Sequence, residues 1–297
     1  MSLRLFVPAL SLSLLVACGD DIADAPDAAP DIDAPAEQAV SINFGAKVGT
    51  MDAVCGQTYD GQGVGSDQTI EIKDFRFYVS NVRLINDASE EVEVTLDQES
   101  AFQTANVALL DFEDNTGLCA GTAETNTAVT GTVPPGTYSG MVFDLSVPFD
   151  LNHEDLTSLP SPLNISSMFW AWAIGHKFVR IDLDVVDGDT RTPWNVHLGS
   201  TMCGVMGQTP PTEECARPNK PVIRLAGFDP ASDTAVFDLA PVIADSDLTA
   251  NVGMAAGCQS FPDDVSDCTP LFPNLGIDYV SGACINDCAD QVTFVAE

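Results

Sequence analysis

Basic side chains are scarce in this 297-residue chain: 11 Lys and Arg stand against 44 Asp and Glu, for a formal net charge of −33. A field of that sign repels phosphate, which excludes nucleic acid as a natural partner and makes cations or basic protein surfaces the favoured encounters. Histidine and tryptophan are scarcer still, with three copies of each. No C-x-x-C pair occurs, which argues against a zinc cluster. The G-x-S-x-G, H-E-x-x-H and phosphate-cradling glycine motifs are also missing, so the common hydrolase and nucleotide-binding signatures are not there. No long stretch has helical period, and any helix, such as one over residues 240–248, is short.

What is present begins with a leader. Arg4 precedes an apolar run over residues 5–16, too short to span a bilayer permanently, and the run ends in Leu15-Val16-Ala17-Cys18. A small residue before cysteine is where a lipoprotein peptidase cuts, so residues 1–17 are expected to leave and Cys18 to become a lipidated N-terminus. Gly19, rather than Asp, after that cysteine favours passage to the outer membrane. Residues 18–37 follow, dominated by Asp, Ala and Pro; they cannot bury enough apolar area to offset their ordering entropy and read as a flexible acidic tether. Residues 38–297 suit one large domain.

Within that domain strand signals dominate. Residues 74–84, DFRFYVSNVRL, and residues 91–96, EVEVTL, alternate apolar with polar side chains. Residues 41–44, 106–112, 140–145 and 221–225 continue the series, separated by turn chemistry at Pro134-Pro135-Gly136, Asp187-Gly188 and Asp229-Pro230. The expected fold is all-β, a β-sandwich or irregular β-barrel with few short helices and long loops fastened by disulfides. Eight cysteines remain after Cys18: Cys55, Cys119, Cys203, Cys215, Cys258, Cys268, Cys284 and Cys288. An even number in an exported chain argues for four disulfides. Cys203 with Cys215 and Cys258 with Cys268 are plausible neighbours, and Cys284 with Cys288 is either a small clip or crosses elsewhere.

One hairpin can be placed. Residues 177–186 and 192–198 flank Asp187-Gly188-Asp189, and a two-residue loop sets His197 opposite Phe178 or Arg180. If the extended path runs back past Gly175, His197 shares a face with His176, Trp170 and Trp172. Imidazole suits copper, zinc, iron or nickel, and a cuprous ion accepts two or three neutral ligands, so His153, His176 and His197 form a candidate metal set. The bland alternative is that each is structural and that the tryptophans are core. Asp182, Asp184, Asp187 and Asp189 resemble a calcium loop only superficially; acids on a hairpin's solvent face explain them better.

The blocks CG at 55–56 with Tyr59, DFRFYVSNVRL, NVALLDFED at 106–114 followed by Cys119, VPFDLNHEDL at 147–156, PSPLNISSMFWAWAIGHKFVRID at 160–182, VHLGSTMC at 196–203, CARPNKP at 215–221, Gly257-Cys258 to Cys268 and the closing QVTF stand in one order. In that order the chain resembles the methanobactin-associated copper-binding proteins, the four-cysteine partner of the metallo-mystery pair. The resemblance implies an exported protein, not an enzyme, that binds copper as Cu(I) and is made with a di-haem c-type peroxidase of the MauG class. That partner converts a tryptophan to kynurenine, whose aromatic amine can bind metal where an indole N–H cannot. Carried over by motif, Trp170 or Trp172 is the modified residue and His153 and His197 are the ligands. His176 stands where the family is expected to have tyrosine, which leaves it as ligand or supporting group. The Cys284/Cys288 pair looks additional to the four-cysteine pattern. The competing readings are an acidic surface module with structural histidines and a redox enzyme with a bound metal.

Overall fold

The computed structural model describes residues 36–171, 173–204, 210–250 and 256–297. The leader, Cys18, all but the last two residues of the tether and Trp172 lie outside the described residues.

Two open sheets pack face to face, as a sandwich and not as a closed barrel. The larger runs in the order Thr190–Leu198, Val179–Asp187, Gln68–Asn86, Tyr138–Asp144, Val222–Ala226, with short strands added to its long central member. The smaller runs Phe294–Ala296, Thr234–Asp238, Gln38–Val48, Ala128–Val133, Thr95–Leu96, and the pairing of Gln38–Val48 with Thr234–Asp238 is parallel. The only helices among the described residues are short; the expected one near residue 240 is Leu239–Ile243, started by Asp238 accepting from the Ala240 N–H.

The central strand is Gln68–Asn86, and it is buried on both faces. Alternation sends Phe75 and Phe77 to one side and Asp74, Arg76 and Tyr78 to the other. Phe77 meets Phe44 of the facing sheet with ring centroids 6.3 Å apart, and it also meets Phe237 at 5.3 Å and Phe294 at 5.5 Å. These edge and tilted contacts form the centre of the main core. On the opposite face Tyr78, Leu109, Leu163, Met168 and Phe178 make a second, smaller cluster. That cluster lies under the segment carrying LNHED and MFWAW, so the candidate site is built on the outer face of the larger sheet.

Four disulfides brace the loops: Cys55–Cys119, Cys203–Cys215, Cys258–Cys268 and Cys284–Cys288. Both neighbouring pairs are as expected, and the last pair is the local clip. Cys258 does more than fasten a loop. His197 N–H donates to Cys258 O at 2.9 Å and Cys258 N–H donates to Asn195 O at 2.9 Å, so the segment covers the free edge of strand Thr190–Leu198. Gly257 permits this approach, since a Cβ there would lie 2.4 Å from the Asn195 backbone. The same contact sets Gln259 beside His197.

Because Phe77 is fully buried among five phenylalanine rings, Phe77→Ala should cost roughly 3–5 kcal/mol of folding free energy. Denaturant unfolding checks this, and a loss below about 1 kcal/mol would contradict a core centred there.

Candidate metal centre

His197 is positioned by a hairpin whose register is as expected for a two-residue loop. Asp187 pairs with Thr190 around Gly188-Asp189, and Arg180 lies opposite His197. Its ring is nearly buried, with Nε2 2.5 Å from Asp182 Oδ1 and Nδ1 2.7 Å from Gln259 Oε1. Asp182 accepts from Arg180 Nε at 3.0 Å and Nη2 at 2.5 Å. Register then carries the charges inward, since Arg180 pairs with Arg76, Asp182 with Asp74, and Arg76 with Asp111. Arg180 Nε is 3.3 Å from Asp74, and Arg76 forms a two-point ion pair with the same carboxylate. The result is a row of alternating charge across four neighbouring strands, ending on His197.

This corrects the reading of the hairpin acids. Asp182 and Asp184 do not face open solvent: Asp184 is buried and accepts from Lys73 at 3.1 Å, and Asp182 is the partner of His197. Burial pushes Asp182 up, but the hydrogen bonds and charges of His197 and Arg180 outweigh it and hold the carboxyl below the usual range. Burial wins further along the row: it raises Asp74 in spite of Arg76 and Arg180, and raises Asp111 from 3.8 to about 7 in spite of Arg76.

The MFWAWAIGHKF stretch is not one extended path. Strands Phe169–Ala171 and Gly175–His176 fold back on each other, and Ile174 N–H donates to Ala171 O at 2.8 Å. Gly175 has φ +94°, and a Cβ there would meet the Asn152 amide at 2.5 Å, so both dihedral and space require glycine. The expected shared face is therefore not produced by strand alternation, yet Trp170 still reaches His197, with ring centroids 6.4 Å apart. Gly199 leaves the slot for the indole, because a Cβ would lie 2.4 Å from Trp170 Cζ3. Phe261 makes a tilted ring contact at 5.5 Å and Lys177 Nζ sits 5.9 Å from the indole centroid. Burial lowers the Lys177 ammonium to about 8.

His176 is fully buried with each ring nitrogen facing a carbonyl: Nδ1 is 3.2 Å from Asn152 O and Nε2 is 2.8 Å from Leu163 O. Burial lowers its pKa, and a neutral ring there donates to one of the two oxygens. Binding an ion would cost it one of them. Its backbone N–H donates to Asn152 Oδ1 at 2.7 Å, which turns the amide nitrogen of Asn152 towards His153. His153 follows the short helix Phe149–Asn152 and is buried, with Nε2 3.2 Å from Asn152 Nδ2 and 3.5 Å from Cys215 Sγ. Cys203 and Cys215 complete a His-Cys-Cys group, but they are bonded to each other and offer no thiolate.

Thus His197 with Trp170 forms one group and His153 with His176 another, and the Phe169 hairpin joins them, its Phe169 ring lying 4.9 Å from His176. Asn152, Gln259 and Phe261 were not singled out from sequence, and Asp182 was noted only among the hairpin acids. The one available signal was Arg180 two residues before Asp182 in a chain with few bases.

A disulfide-braced β-sandwich with buried imidazoles beside a tryptophan is the class these features define. A family model described as MbnP matches residues 37–260, and the chain belongs to that methanobactin-associated, copper-related family. The solved structure of MbnP from Methylosinus trichosporium is similar at 29% identity, covering 88% of this chain and 98% of that one with a TM-score of 0.73. No curated protein matches the sequence. The three histidines, Trp170 and Trp172 lie within the matched segment, whereas Cys18 precedes it and Phe261, Cys268, Cys284 and Cys288 lie beyond it.

Asp111 yields a pH dependence with a definite sign. Its folded form keeps a proton between about pH 4 and 7 that the unfolded chain releases, so stability falls as pH rises through that window, by at most about 4 kcal/mol. Asp111→Asn removes this slope. Unfolding curves should show the variant gaining on the parent from pH 4 to 8, and parallel profiles would refute the assignment.

Proposed function

We propose that this chain is an exported, lipid-anchored copper-binding protein that serves copper acquisition, storage or delivery and turns over no substrate of its own. His153 and His197 hold the ion, as Cu(I), together with the aromatic amine of a kynurenine made from Trp170 or Trp172. A di-haem peroxidase of the MauG class performs that conversion, and Cys18 carries the lipid in the cell envelope, at the outer membrane.

The observation that carries this reading is the approach of Trp170 to His197 inside the family-matched segment. The donor set suits a soft or borderline ion: two buried imidazoles, each with a ring nitrogen facing a neutral side-chain amide, Asn152 for His153 and Gln259 for His197. An ion can displace an amide contact at lower cost than an ion pair. Copper would supply a Lewis-acid centre that neutral nitrogen ligands stabilise in its reduced state. The rest of the site excludes water and orients those nitrogens. No described helix is long and apolar enough to cross a membrane.

Protein purified after co-expression with the peroxidase should carry the mass increase of one tryptophan-to-kynurenine conversion and bind copper. Binding should be lost in His153→Ala, His197→Ala. An unmodified mass, with copper affinity equal to that of the double variant, would sink the proposal.

A further inference from the structure

The geometry points to Nδ1 of His197 as the nitrogen that receives the metal ion, with Gln259 as a displaceable occupant of that position and Asp182 as the positioning residue that fixes the ring from the other side. This inference rests on the copper reading above and adds to it the atom, the direction of entry and two residues outside the ligand set.

The two ring nitrogens of His197 are held very unequally. On the Nε2 side, Asp182 is 2.5 Å away and is itself clamped by two hydrogen bonds from Arg180. Arg180 is fastened in turn, donating to Ser167 O at 3.2 Å and lying 3.3 Å from Asp74. Metallation through Nε2 would have to part His197 from Asp182, a partly buried carboxylate held by Arg180. That forfeits a hydrogen bond to a carboxylate, a stronger contact than one to a neutral amide.

On the Nδ1 side stands one neutral amide. Gln259 Oε1 lies 2.7 Å from Nδ1, and the Gln259 side chain is otherwise held by a single hydrogen bond, from its Nε2 to Ala256 O at 3.2 Å. The Gln259 backbone N–H donates to Asp264 Oδ2 at 3.0 Å, so the side chain can swing while the main chain stays in place. An acceptor oxygen 2.7 Å from Nδ1 meets an Nδ1–H, so an ion entering there displaces both the amide oxygen and that proton. When copper takes that place, Asp182 keeps Nε2–H, giving a carboxylate–histidine–metal arrangement that orients the ring and raises its basicity. Trp170 is suitably near: its ring meets Phe261, two residues after Gln259, in a tilted contact at 5.5 Å and lies 6.4 Å from the His197 ring.

With three histidines in the chain, long-range proton–nitrogen correlation spectra of protein labelled with 15N-histidine are simple enough to assign by the single His→Ala variants. One equivalent of Cu(I) added anaerobically to peroxidase-co-expressed protein should shift His197 Nδ1 and leave Nε2 protonated. Gln259→Ala should bind copper several-fold more tightly, whereas Asp182→Asn should weaken binding about 10–100-fold and lose the fixed Nε2 proton signal. Thermal unfolding of each variant separates binding effects from folding. A Cu(I)-induced shift at Nε2, a shift at His153 without one at His197, or a Gln259→Ala variant as weak as His197→Ala overturns the inference. A spectrum in which no histidine moves overturns instead the copper reading beneath it.

Discussion

The whole arrangement depends on one strand that is buried on both faces for different reasons. Gln68–Asn86 presents phenylalanines to the inter-sheet core and a pair of opposite charges, Asp74 and Arg76, to the other side. Buried charge is tolerable only when each member has a partner, and this constraint propagates. Arg180 on the neighbouring strand must lie beside Asp74, Asp182 must then meet Arg180, and His197 is fixed by Asp182. The apolar face sets the strand's depth and register; the ionic face uses that register to aim an imidazole.

The second histidine is placed by different means. His153 depends on Asn152, a neutral amide whose oxygen is held by the His176 backbone and whose nitrogen therefore turns to the His153 ring. His176 thus contributes by holding a neighbour's orientation, with its own ring spent on carbonyl oxygens. The two histidines are thus oriented in two modes, His197 by an ionised carboxylate and His153 by an amide.

Much of the sandwich was legible in the sequence because alternation is a local signal. DFRFYVSNVRL announces a two-faced strand, and Asp187-Gly188-Asp189 announces the hairpin whose register placed Arg180 opposite His197. The neighbouring cysteine pairs were legible for the same reason. The acids at 182 and 184 were misread because alternation tells which residues share a face, not whether another segment covers it. Here the segments carrying MFWAW and Gln259 do the covering. The turn at 173–174 was hidden because Gly175 announces its need only through φ and through the nearness of Asn152, both products of the tertiary fold. Gln259 was invisible for a related reason, since a glutamine 62 residues from His197 has no pattern to mark it.

The scarcity of basic residues acquires a physical meaning from this placement. In a chain with 11 Lys and Arg, Arg76, Arg180 and Lys177 are drawn to the sheet face behind the candidate centre. There the arginines pair with the carboxylates of Asp74 and Asp182, and Lys177 lies near the Trp170 indole. Desolvation raises Asp74 as well as Asp111 even so, and at Asp182 the neighbouring hydrogen bonds and charges win. Asp182 stays ionised because Arg180 and His197 share it, and an ionised Asp182 can hold only a protonated ring nitrogen. The other nitrogen of His197 faces the Gln259 amide, so the pairing that holds Asp182 also sets which side of the imidazole meets a neutral partner.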